Sequence, residues 1–102
     1  MVKVDTEKCK AIIKHYGHTN QFNKAVEELS ELIRAIVRDD KDNLIEEMAD
    51  VYIMLEQLKI MCGICDGLVD YVIDEKLCRT FERMNEDDQK LNHKFVIKCK
   101  FI

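Results

Sequence analysis

The sequence contains no proline and no tryptophan, and it has only three glycines in 102 residues. Strand-rich folds spend such residues on their many turns, so this scarcity favours long helices joined by short connections. All-α is the expected class. No apolar run approaches the roughly 20 residues that a membrane span requires. The opening stretch MVKVDTEKCK also lacks the apolar core of a signal peptide, so a cytoplasmic protein with no membrane partner is expected. Basic blocks are missing too: 16 Lys and Arg stand against 20 Asp and Glu, for a formal charge of -4. A nucleic-acid duplex is therefore an unsuitable partner. There is no linker and no internal repeat. Cysteine is not scarce, but its count of five is odd. In a reducing compartment such thiols behave as small buried hydrophobes, and no disulfide is expected.

What the chain does have is 47% hydrophobic and 35% charged residues, which suits amphipathic helices. At this length a single domain over residues 1–102 is expected, with a core that a partner subunit would help to complete. Reading for a period of 3.6 predicts four helices, at about 5–16, 20–38, 42–62 and 67–90. The breaks fall at YGHTN, where Gly17 can end one helix and Thr19 or Asn20 can cap the next, at RDDKDN, and at CGICDG with Gly63 and Gly67. A tail from about 91 to 102 alternates apolar residues with Lys from Phe95 onward, the pattern of a short strand or an extended arm.

On the second helix Phe22, Ala25, Val26, Leu29, Leu32, Ile33 and Ile36 form a stripe about 120° wide, which reads as core-facing. Glu27, Glu28 and Glu31 lie off it. The third helix is apolar nearly all round, with Glu47 and Asp50 on the side of Met54 and Met61. Those two carboxylates are therefore expected to point into protein or a cleft, and the methionines to fill core or interface.

Residues three apart lie about 60° apart around a helix, so Glu28 with Glu31 and Glu47 with Asp50 each make a pair on one face. A short connection makes the two helices antiparallel neighbours, in which residues at equal height have numbers with a constant sum. Glu28 with Asp50 and Glu31 with Glu47 share one sum, centred on residue 39 inside RDDKD. Four carboxylates should converge. Partly removed from water, such acids either become neutral or recruit a cation, and oxygen-only ligation suits Mg²⁺, or Mn²⁺. The competing reading is a solvated acidic face with partners such as Lys24 for Glu28. A di-iron centre would need Glu-x-x-His on two helices, and the sequence has none.

The residues Glu27-Glu28-x-x-Glu31 followed by Glu47-x-x-Asp50 resemble the acidic signature of the MazG-like, all-α nucleoside triphosphate pyrophosphohydrolases, closest to the short phage and bacterial type. The likeness covers KHYGHTNQFNKAVEELSELIRAI, NLIEEMADVYIMLEQLKI and, more weakly, EKLCRTFERM, about residues 10–85. It implies a four-helix bundle that oligomerises through apolar helix faces, as a homodimer or a dimer of dimers. It further implies hydrolysis of a (d)NTP between the α and β phosphates, with Mg²⁺ on Glu28, Glu31, Glu47 and Asp50. Glu27 matches the first signature acid, as an additional ligand or a base that orients water. Lys76 and Arg79 resemble the downstream basic pair that faces the phosphates, although Asp74 stands where longer relatives carry Asn. For the base and sugar, Gln21 offers both donor and acceptor, and His15 or Tyr16 could stack.

Two other readings are open from the sequence. A helical interaction module would use the acids only as a solvated or metal-stabilised face. A small zinc protein would use His15, His18, Cys62 and Cys65 as four ligands, and Cys62 with Cys65 also has redox-pair spacing.

Overall fold

The computed structural model describes residues 3–90, and every regular element among them is a helix. These are α1 (Thr6–Tyr16), α2 (His18–Arg38), α3 (Lys41–Cys62) and α4 (Leu68–Lys90). The chain divides into two compact units, Met1–Ile64 and Cys65–Ile102. The all-α expectation and the four helices hold to within about two residues. The suggested strand of the tail lies outside the described residues. None of the described helices is long and apolar enough to cross a membrane.

In the first unit, Asp5 caps α1 by accepting from the Lys8 N–H at 3.1 Å. Gly17 then closes α1 and opens α2 at once: at φ +90 its N–H reaches the Ile13 carbonyl at 2.8 Å. Thr19 and Asn20, expected as caps, therefore lie inside α2, where Asn20 Nδ2 donates to the Tyr16 carbonyl at 2.8 Å. The α2–α3 turn needs only two residues. Asp39 takes the left-handed conformation that Asp tolerates better than most side chains, and Asp40 caps α3 by accepting from the Asn43 N–H at 3.2 Å. So short a turn forces α2 and α3 into an antiparallel hairpin, with α1 packed against both.

One expectation is reversed. The face of α2 turned inward carries Gln21, Ala25, Glu28 and Ala35, all buried. Of the apolar stripe only Ala25 is buried; most of its large residues are exposed, with Val26 at 65%, Ile33 at 62% and Ile36 at 60%. Periodicity located a hydrophobic stripe correctly but could not tell whether the same chain covers it. The buried positions of α3 are likewise mixed: Glu47, Val51, Met54 and Gln57.

In the second unit α4 starts after Gly67, whose φ of +85 a residue with a Cβ rarely adopts. Exposed apolar residues on α4 include Leu68, Tyr71, Leu77 and Phe81. Cys9, Cys62 and Cys65 are free, but Cys78 is disulfide-bonded, contrary to the expectation of no disulfide. Disulfide pairing depends on Cα atoms approaching within about 7 Å in space, which sequence spacing does not reveal.

Candidate metal centre

The α2–α3 seam brings acids together at one height. One carboxylate oxygen from each of Glu28, Glu47 and Asp50 lies within 4.8 Å of the other two. Glu28 is 6% exposed and Glu47 is also buried, whereas Asp50 is partly exposed. Three like charges at such spacing, with two of them withdrawn from water, form an arrangement that a folded chain tolerates only with protons or a cation.

The electrostatics show that strain. Burial pushes the Glu47 carboxyl above its usual range, and Glu31 adds to this by charge and by hydrogen bonding, followed by the charges of Asp50 and Glu28. Asp50 is raised by burial first, then by the charge and hydrogen bonding of Glu28 and the charge of Glu31, while Lys24 pulls the other way. The contributions pair Glu31 with Glu47 and Glu28 with Asp50, as the constant-sum rule for the hairpin requires.

Lys24 is the cluster's internal counter-charge. Its Nζ lies 3.0 Å from Glu28 Oε1 and 3.8 Å from Glu27 Oε1, and the hydrogen bond to Glu28 is the largest cause of its raised pKa. One ammonium does not satisfy the site. Glu28 Oε2 and Glu47 Oε2 are both sealed from water and have no hydrogen-bond partner. Buried carboxylate oxygens without donors are costly, and hard oxygen ligands turned toward one point fit a divalent cation.

The remaining sequence candidates are placed differently. Glu31 is half-buried beside Glu47, 4.0 Å from Arg34, and is not part of the three-oxygen group. Glu27 is exposed and faces Lys24. Gln21 is buried and lines a cavity of about 460 Å³ together with Tyr16, Lys24, Glu28, Asp50 and Gln57. His15 does not line that cavity but packs edge-on against the Tyr16 ring, with centroids 4.6 Å apart. In the second unit Lys76 and Arg79 share a basic hollow of about 230 Å³ with Thr80 and Arg83, and Arg79 is paired with Glu75 at 3.1 Å. A larger cleft of about 630 Å³ is lined mainly by apolar side chains such as Ile12, Met48, Tyr52 and Ile53, with Lys3, Asp5 and Lys8 as its charged residues.

The zinc alternative finds no support in the first unit, where His15, His18 and Cys62 join no metal-binding group. Sequence reasoning passed over Lys24 as a mere helix-surface partner and did not single out Gln57 at all. The signal for Gln57 was available, because Gln21 with Gln57 has the same residue-number sum as Glu28 with Asp50.

An antiparallel helical hairpin carrying a buried carboxylate cluster against a polar-ended cavity defines an all-α protein with a group of acids that could hold a metal ion. The family model for the MazG nucleotide pyrophosphohydrolase domain matches residues 17–86, more than half of the 102-residue chain. The chain belongs to that family, which points to nucleotide pyrophosphohydrolase chemistry at a divalent-metal site. No curated protein and no solved structure matches the chain.

Proposed function

We propose that the chain is a Mg²⁺-dependent nucleoside triphosphate pyrophosphohydrolase that converts a (d)NTP to the monophosphate and pyrophosphate, with Mn²⁺ able to substitute. The observation that carries this reading is the pair of sealed, donorless oxygens, Glu28 Oε2 and Glu47 Oε2, within a converging carboxylate cluster. Glu28, Glu47 and Asp50 hold the ion, and Glu31 joins from beside Glu47. When bound, a divalent ion neutralises triphosphate charge and lowers the pKa of water.

The chain's own residues do the rest. Lys24, engaged with Glu28, lines the cavity next to Asp50 and is placed to transfer its charge to an entering phosphate. Glu27, exposed beside Lys24, orients the attacking water. Gln21 lies on the nucleoside side of the first unit's cavity, and Lys76 and Arg79 line a separate basic hollow of the second unit whose charge suits phosphate. Apolar Ile12, Ile53 and Met54 give the base a dry wall.

A panel of nucleotides assayed with Mg²⁺ and then with chelator tests this directly. Pyrophosphate and monophosphate should appear in equal amounts, and only with metal. Release of orthophosphate, or no release from any nucleotide, would refute the assignment and leave a helical interaction module.

The working unit in this proposal is a homodimer or a dimer of dimers. Phe22, Val26, Leu29, Ile33 and Ile36 are all at least 40% exposed on α2. Full burial from full exposure contributes about 1.5–3 kcal/mol per side chain. With 40–65% of each still exposed, two copies together supply roughly 8–16 kcal/mol, comparable to the roughly 4–15 kcal/mol that association costs. Sedimentation should therefore give a dimer or larger for the native chain and a monomer for Ile33→Glu. A native chain that sediments as a monomer at micromolar concentration would contradict this.

A further inference from the structure

Two buried amides lie in the wall of the cavity that Glu28 and Asp50 also line. Gln21 is 5% exposed and Gln57 only 1%, and Gln21 Nε2 donates to Gln57 Oε1 at 2.6 Å. Apolar side chains would fill this part of the seam without penalty, whereas a buried amide is costly unless its donors and acceptors are used. The mutual bond uses one atom of each amide. Gln21 Oε1, an acceptor, and Gln57 Nε2, a donor, remain. Neither is among the sealed and partnerless side-chain atoms of the described residues, which are Glu28 Oε2 and Glu47 Oε2, and both residues line the cavity.

The surroundings narrow what can bind there. Ile12, Ile53, Met54 and the Tyr16 ring supply apolar walls suited to a flat heteroaromatic ring, and Lys24, Glu28 and Asp50 supply charge. A ligand filling the cavity would meet a donor–acceptor pair in one part and the acid cluster in another.

We propose that the Gln21–Gln57 pair reads the hydrogen-bonding edge of the nucleobase, each amide making one contact while the bond between them fixes both. This rests on the pyrophosphohydrolase reading, because only that reading places a phosphate chain at the acids. An amino group beside an unprotonated ring nitrogen meets Gln21 Oε1 and Gln57 Nε2 in one order. A keto group beside a ring N–H meets them in the other. If both amides turn over together, the bond between them survives with its polarity reversed. The pair therefore requires a base edge with a donor next to an acceptor, and it accepts either arrangement.

The test compares nucleoside triphosphates with ribose 5-triphosphate, which keeps the sugar and phosphates and lacks the base. The variants are Gln21→Met, Gln57→Leu and the double variant. The double variant guards against misfolding, since replacing both partners with apolar groups of similar size leaves no amide stranded. For nucleotides, each variant should raise KM about tenfold or more, the loss of roughly two hydrogen bonds, with kcat changed less than about threefold. The double variant should be no worse than the singles, and KM for ribose 5-triphosphate should not move. A folded double variant with unchanged KM for nucleotides, or with KM raised equally for the base-less compound, overturns the proposal. If the unmutated protein releases pyrophosphate from neither class, the underlying function falls instead, and the proposal falls with it.

Discussion

Glu28→Gln should abolish metal-dependent pyrophosphate release and yet leave the metal-free protein at least as stable as the native chain. The two halves of this result have one cause. Glu28 is buried, supplies one of the three clustered oxygens, and has its second oxygen without a donor. An amide of the same shape removes a negative charge that the ion needs, so activity should fall by more than the roughly hundredfold seen when mere supporting contacts of metal ligands are lost. The same change removes a repulsive charge from beside Asp50, whose pKa Glu28 helps to raise. Asp50→Asn should behave alike. Activity measured with Mg²⁺ and melting measured with chelator would separate the two effects. If both activity and stability fell, the acids would be structural rather than functional.

The second large effect is a dependence of metal-free stability on pH that runs opposite to ordinary acid denaturation. Burial and neighbouring carboxylates raise the folded pKa values of Glu47 and Asp50 above the ordinary 4.5 and 3.8. Between those values and the folded ones, the native state holds protons that the unfolded chain has released. Protons bound to the native state exceed those bound to the unfolded state, so stability falls as pH rises through that window. With chelator present, the melting temperature should climb as pH is lowered from 8 toward 5. Saturating Mg²⁺ should raise the whole curve and reverse its slope, because the ion binds the deprotonated acids. A flat profile with chelator would mean that the carboxylates do not feel one another.

Much of this was legible in the sequence, and what escaped has a physical reason. Helix limits followed from periodicity and from Gly17 and Gly63, because helix-ending glycines are local chemistry, whereas the Asp40 cap came only with the structure. The height of the acids followed from the two-residue turn at Asp39 and Asp40, since so tight a connection leaves no freedom of register. The rotation of α2 did not follow. Its hydrophobic stripe was taken as the inward face, whereas Gln21 and Glu28 point inward and Val26 and Ile33 outward. Hydrophobic periodicity reports that a face wants burial and says nothing about which chain buries it. The Gln21–Gln57 bond carries no charge signature in the sequence, although both amides obey the register that pairs the acids. The disulfide of Cys78 depends on distance in space, which spacing along the chain does not give.

The central claim is that the hairpin seam grips a divalent ion between Glu28, Glu47 and Asp50. Anomalous diffraction from crystals soaked in Mn²⁺ measures this most directly. A strong anomalous peak is expected within coordination distance of oxygens from all three side chains, absent in Glu28→Gln. A saturating soak in which manganese scatters only elsewhere, with those three carboxylates turned apart, would contradict it.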